Sequence, residues 1–124
     1  MSTTGPMTTP DSPLAKQDIS IEDFAKVDLR LGTVKTAERV PKTDKLVKLQ
    51  VNFGSFERQI VAGIGKVFQP EDLLGKQFLF VVNLAPRSLR GVESHGMVLA
   101  ANLGDGGLGL LSVPTSAPDG TPVG

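Results

Sequence analysis

The stretch Val27–Val40, VDLRLGTVKTAERV, decides the fold. Val27, Leu29 and Leu31 are apolar at odd positions, the pattern of a strand with one buried face. After Gly32 the phase slips, and Val34 and Val40 are apolar at even positions. A one-residue slip turns every side chain to the other face unless an extra residue is absorbed. A bulge at Gly32–Thr33 absorbs it, and bends one long strand as a barrel corner requires.

Downstream, strand signals dominate. Val47, Leu49, Val51 and Phe53 alternate with Lys48, Gln50 and Asn52, which predicts a second strand with an apolar inner face. Gly54-Ser55 marks a hairpin turn, and Ile60, Ala62 and Ile64 continue as a third strand. Gln69-Pro70-Glu71-Asp72 opens a helix, with Pro at its first position and acids in its first turn; Gly75 closes it. Phe78–Leu84, FLFVVNL, is apolar on both faces. It needs cover on both sides, from the barrel and helix or from a partner chain. Gly96–Ala101 and Leu108–Val113 form the last strands around the turn Gly104–Gly107.

Upstream, Ser20 and Asp23 form a capping-box-like pair, and Ile19 and Phe24 stand where a hydrophobic staple clamps a first turn, so a short helix runs from Ile21 to Ala25. Residues 1–18 are rich in Thr, Pro and Ser without apolar period, and read as a flexible tail; residues 19–124 form one domain. The sum is an all-β fold: a five-stranded Greek-key barrel of the OB type, with a short N-terminal helix and one helix between strands three and four.

Composition removes several function classes. Cysteine is absent, so there is neither a disulfide framework nor a thiolate zinc site, and the lone His95 with scattered carboxylates is a poor basis for a transition-metal site. No cofactor or metal is expected. Glu22-Asp23 and Glu71-Asp72 are paired carboxylates, but both fall at helix starts, where acids stabilise the dipole. Ser94 and His95 are adjacent on a strand and point to opposite faces, so they make no nucleophile–base pair. Gly63-Ile64-Gly65-Lys66 lacks the flanking pattern of a phosphate loop. A metal-dependent nuclease would need clustered carboxylates, which the outward strand positions do not offer. The expectation is a protein that is not an enzyme. No apolar run reaches membrane-spanning length and the first residues are no secretory signal, so a cytoplasmic location is expected.

Binding chemistry remains. Formal net charge is zero, yet Lys26–Lys48 holds seven cations against Asp28, Glu38 and Asp44, a local excess of +4. The loop between strands one and two, Arg39–Lys45, carries Lys42 and Lys45, with Pro41 limiting its freedom; Lys48, Gln50 and Asn52 continue the surface. The second loop of interest is Asn83–Met97, NLAPRSLRGVESHGM. Asn83, Arg87, Arg90 and Ser94 offer donors for phosphate and sugar oxygens, and Leu89 and Met97 an apolar contact for a base face. Met97 also alternates with Leu99 and Ala101, which fits a core position. The six Phe fall mostly on core phases, so stacking platforms for single strands are missing; recognition of folded RNA through phosphates and sugars is favoured.

Six motifs occur in order: KVDLRLG (Lys26–Gly32), TDKL (Thr43–Leu46), IVAGI (Ile60–Ile64), PEDLLGK (Pro70–Lys76), VVNLAPRSLRG (Val81–Gly91) and ESHGMVLA (Glu93–Ala100). Together they resemble the tRNA-binding domain appended to bacterial methionyl-tRNA synthetase, found also as stand-alone bacterial tRNA-binding proteins and related to CsaA-type chaperones. The resemblance covers residues 20–124. It implies a homodimer that binds tRNA by shape, with an aminoacyl-tRNA synthetase as a further partner. By resemblance Asn83, Arg87, Ser94, Gly96 and Met97 belong to the signature loop and strand, and Lys45 to the TDKL motif. Many stand-alone relatives carry Lys where this chain has Ala85, and Asn83–Pro86 looks most like the synthetase-appended branch. The chain is then either a stand-alone relative or a fragment of a longer protein. The alternative implied by the resemblance is a CsaA-like chaperone that holds unfolded polypeptides in an apolar groove between subunits.

Overall fold

The computed structural model describes residues 16–124; most of the tail expected at 1–18 lies outside the described residues. A helix, α1 (Ile21–Phe24), is capped by Ser20, whose side chain accepts from the Asp23 amide at 3.0 Å. Ten strands follow: β1 (Leu29–Arg39), β2 (Val47–Asn52), β3 (Glu57–Ala62), β4 (Gln77–Val81), β5 (Arg87–Leu89), β6 (Val92–Ser94), β7 (Met97–Val98), β8 (Ala100–Asn102), β9 (Leu108–Leu110) and β10 (Pro122–Val123). Five of them, in the order β3-β2-β1-β4-β7, make a nearly closed antiparallel barrel, and β10 pairs with the start of β1. Strands β5–β6 and β8–β9 are separate hairpins.

The long first strand is present and does bend, but at a different residue. Thr33 pairs with Asn52 and Val34 with Val51, then the register jumps to Thr36 opposite Gln50, so the bulge sits at Lys35 rather than Gly32–Thr33. Even positions face the barrel before it: a Cβ on Gly32 would lie 2.6 Å from the Phe53 ring and 2.7 Å from Val51. Leu31, on the odd face, is 2 % exposed yet lies outside the barrel core. The apparent slip at Gly32 was two faces of one regular strand, each buried against something different.

The C-terminal segment covers that outer face. Thr33 Oγ1 donates to Asp119 Oδ1 at 2.6 Å, Gln77 Nε2 donates to Asp119 Oδ1 and the Ala117 carbonyl at 2.9 Å, and Leu31 exchanges backbone bonds with Gly120 and Thr121. This also answers the question left by FLFVVNL. Phe80 is fully buried in the barrel, edge-on to Phe53 at 5.4 Å, while Leu79 shares the face of Leu31 and its amide donates to the Leu111 carbonyl. The chain itself supplies cover on both sides of β4.

The helix expected between the third and fourth strands is one 3-10 turn, Pro70–Asp72. Leu73 follows it into the core, 1 % exposed, and Gly75 takes a left-handed φ of +74° immediately after. A second turn does not form because Gly75 and Lys76 are already bonded to β1: the Gly75 amide donates to the Val34 carbonyl and the Val34 amide to the Lys76 carbonyl, each at 2.9 Å.

The barrel closes where β3 meets the end of β6. The His95 amide donates to the Gln59 carbonyl at 2.8 Å, and the Val61 amide donates to Ser94 Oγ at 2.9 Å. At this seam a side-chain hydroxyl does the work of a ladder carbonyl. Gly96 beside it has φ +131°, and a Cβ there would sit 2.8 Å from the Val81 carbonyl and 3.1 Å from Ile60. Only glycine fits that conformation and that approach.

Candidate nucleic-acid interface

The loop Val40–Leu46 between β1 and β2 is tied at many points. The Val40 amide donates to the Leu46 carbonyl at 3.0 Å, and Thr43 Oγ1 accepts from the amides of Lys45 and Leu46 at 3.1 and 2.9 Å. Arg39 reaches across beneath it: Nη1 donates to the carbonyls of Asp44 and Gly65 at 3.1 and 2.9 Å, and Nη2 to Gln69 Oε1 at 3.1 Å. Lys42 is held in the left-handed region at φ +67°. The loop is therefore shaped before any ligand arrives, which lowers the ordering cost of binding.

Asn83–Met97, expected as one loop, is largely the β5–β6 hairpin. Its turn is Arg90-Gly91, at φ +54° and +79°, the conformation of a type I′ hairpin turn. The turn sets Arg90 at the tip. Three non-glycine residues among those described have positive φ, and two of them, Lys42 and Arg90, carry candidate cations.

These elements meet. Lys42, Thr43, Asp44, Lys45, Leu46, Lys66 and Arg90 surround a depression of about 510 Å³. A second, of about 280 Å³, is lined by Leu84, Ala85, Arg87, Ser94, Gly96 and Met97. Thus Lys42, Lys45 and Arg90 share one hollow, and Arg87 and Met97 the other. Met97 is 42 % exposed, so it is a surface residue and not a core one; its neighbour Val98 is buried.

Three of the candidate residues have other work. Asn83 Oδ1 accepts from the Asp28 amide at 2.9 Å and its Nδ2 donates to the Lys26 carbonyl at 2.7 Å, which clamps the chain after α1 onto the end of β4. Ser94 is 1 % exposed and spends its hydroxyl on the seam. Gly96 is required by its φ and by the Val81 carbonyl. Ser94 is the buried polar residue of the three, while Asn83 is exposed with both side-chain amide atoms bonded to backbone; in this structure all three hold in shape the surface on which Arg87 and Met97 stand.

The cationic strip is also redistributed. Of the seven cations from Lys26 to Lys48, Lys26 pairs with Asp23, Arg30 with Asp28, Lys35 with Glu57 and Lys48 with Glu38, at 3.4, 2.9, 2.6 and 2.9 Å. The Asp28 hydrogen bond and charge raise the Arg30 guanidinium above its ordinary pKa. Arg39 is committed to carbonyls. Gln50 donates to Gln59 and Asn52 accepts from the Gly54 amide, so the outward face of β2 is occupied with itself. Lys42 and Lys45 are left, joined by Lys66 and Arg90 from elsewhere; none of the four has an ion-pair partner among the described residues. Lys66 was visible in the sequence only as part of Gly63–Lys66, a pattern too weak to select it.

Among the described residues no group of three or more His, Asp or Glu could hold a metal ion, and no helix is long and apolar enough to cross a membrane. Fold and site together define a small β-barrel module with a cationic hollow on its surface. Residues 29–122 match the family model described as a putative tRNA binding domain, and the chain belongs to that family. It is 46 % identical over 112 residues to a methionine–tRNA ligase of Porphyromonas gingivalis, covering 90 % of this chain but 16 % of the ligase. The chain therefore spans about a sixth of the length of that relative. Among solved structures, a MetRS-related protein from Pyrococcus horikoshii superposes with a TM-score of 0.82 at 44 % identity, covering 87 % of this chain and 99 % of that one. The chaperone CsaA of Bacillus anthracis gives 0.79 at 36 % identity, covering 87 % and 100 %.

Proposed function

We propose that this chain is a non-catalytic tRNA-binding module that works in the cytoplasm as a homodimer, reads tRNA by shape, and adds tRNA affinity and dimer contacts to a methionyl-tRNA synthetase. One observation carries the reading: Lys42 and Lys45 from one loop and Arg90 from a distant hairpin converge on a single hollow without ion-pair partners among the described residues. Arg87 lines the adjacent hollow beside Leu84 and Met97, which offer an apolar surface to a base or sugar. Phe24 is the exposed aromatic residue among the described large hydrophobics, and it sits on α1, so the barrel face offers no stacking ladder for single strands.

If Lys42, Lys45, Arg87 and Arg90 each neutralise a phosphate, raising salt fourfold weakens binding by on the order of 10²-fold. Filter binding of folded tRNA across a salt series measures this; a flat response removes the reading. Melted tRNA and duplex DNA as competitors test shape selectivity, and equal competition by either rejects it.

Support for self-association comes from the surface of α1. Ile19, Ile21, Phe24 and Val27 are 66, 71, 41 and 39 % exposed, and the helix buries none of its residues. A four-residue helix has no stability of its own in water. A second copy covering this face supplies the missing burial. Sedimentation at high micromolar concentration gives a dimer; a monomer throughout rejects it.

A second reading, a CsaA-like chaperone, rests on the same exposed apolar residues together with the hollow formed by Leu84, Ala85 and Met97. It predicts suppression of client aggregation that persists at high salt, where phosphate binding fades.

A further inference from the structure

Lys66 lies outside both loops in which binding residues were sought, on the connection after β3, yet it lines the same hollow as Lys42, Lys45 and Arg90. The segment Gly63–Lys66 is built against the β1–β2 loop. The Gly65 amide donates to the Lys45 carbonyl at 2.7 Å, and the Gly65 carbonyl accepts from Arg39. A Cβ on Gly65 would fall 2.8 Å from Arg39 Nη1 and from the Asp44 carbonyl, so glycine is what allows the approach. A Cβ on Gly63 would lie 3.1 Å from Lys45 Cε, which shows the Lys45 stem lying along this segment. Lys66 therefore leaves a backbone that is fixed relative to Lys45, and its place at the rim is set by the fold.

Within the hollow, four cations stand against the Asp44 carboxylate, a net of +3. Neither Lys66 nor Asp44 has an ion-pair partner among the described residues. Cations of like sign gathered in one concavity repel each other, and a polyanion relieves the repulsion. We infer that Lys66 is a further phosphate-binding residue of this chain, completing with Lys42, Lys45 and Arg90 a concave cradle for the sugar–phosphate backbone of a folded RNA. Three separate elements supply the four cations: the β1–β2 loop, the hairpin tip and the connection after β3. A single phosphate does not need that spread; two or more neighbouring phosphates on a convex ridge do.

The inference rests on the tRNA-binding reading, and the test separates the two. Affinity for folded tRNA is measured across salt for the full chain, Lys66→Ala, Lys66→Arg, and Lys76→Ala as a control on another charged position. Lys76 lines the groove under the C-terminal segment. Lys66→Ala weakens binding several-fold at low salt and makes the log–log salt slope shallower by about 1. Lys66→Arg keeps the slope, and Lys76→Ala leaves affinity and slope unchanged. A steep slope for the unmodified chain that Lys66→Ala does not alter overturns this inference alone. Equal losses in Lys66→Ala and Lys76→Ala also overturn it, since they report charge and not position. A flat slope for the unmodified chain overturns the tRNA reading and this inference with it.

Discussion

Ser94→Ala distinguishes a residue that builds the surface from one that touches the ligand. The hydroxyl is buried, 1 % exposed, and accepts the Val61 amide proton at 2.9 Å across the barrel seam. Val61 is itself 4 % exposed, so water cannot replace the lost acceptor without opening the seam. A buried donor left without a partner costs about 1–3 kcal/mol. For a domain of this size that corresponds to a fall in melting temperature of roughly 3–15 °C. Urea unfolding should show a lower midpoint with an unchanged m value, because the surface exposed on unfolding hardly alters. Hydrogen exchange at the Val61 amide should accelerate while that of Leu49, within β2, changes only as global stability does. If Ser94 instead donated to RNA, the variant would keep its stability and lose roughly 2- to 13-fold in affinity, the worth of one neutral hydrogen bond. Unchanged stability together with unchanged Val61 exchange refutes the seam role.

Two further variants probe the scaffold. Gly32→Ala places a methyl 2.6 Å from the Phe53 ring, which is already stacked on Phe56 at 5.2 Å, and should cost about 1–3 kcal/mol by overpacking; a melting temperature equal to the parent's contradicts the inward assignment of even positions in β1. Asn83→Ala releases both hydrogen bonds to Lys26 and Asp28, so amides from Ile21 to Asp28 should exchange faster and the self-association proposed for the α1 face should weaken, while the barrel strands keep their protection; unaltered exchange in that segment rejects the clamp.

The tRNA affinity proposed for the chain depends on how charges are shared out, and the pairing pattern gives the reason. Exposed ion pairs contribute little to stability, typically 0–1 kcal/mol. They do neutralise local potential. Lys26, Arg30, Lys35 and Lys48 sit beside carboxylates, which concentrates the uncompensated positive charge at the loop and hairpin tips. A chain of zero formal net charge thereby carries a hollow of net +3.

What the amino-acid order determined by itself was local or periodic. The Ser20 cap, the inward Val47–Phe53 face, the hairpin at Gly54 and the all-β barrel follow from side-chain size, alternation and turn chemistry, which act over a few residues. The two candidate loops were legible for the same reason. The tertiary structure decided whatever depended on residues far apart in the chain. The bulge lies at Lys35 and not at Gly32–Thr33; the C-terminal segment, some ninety residues on, buries the odd face of β1, and alternation cannot tell two buried faces from a slip. The second helix is only a 3-10 turn because Gly75, at a left-handed φ, and Lys76 pair with Val34 of β1 instead of continuing it. Ser94 and Asn83 look like free donors in a list of residues; their partners, Val61 and the backbone of Lys26 and Asp28, are 33 and 55–57 positions away. Lys66 joined the cationic hollow for the complementary reason: only the folded barrel brings the connection after β3 beneath the loop that carries Lys45. Pairing of donors, acceptors and charges is a property of proximity in space, and the chain acquires it only on closing the barrel.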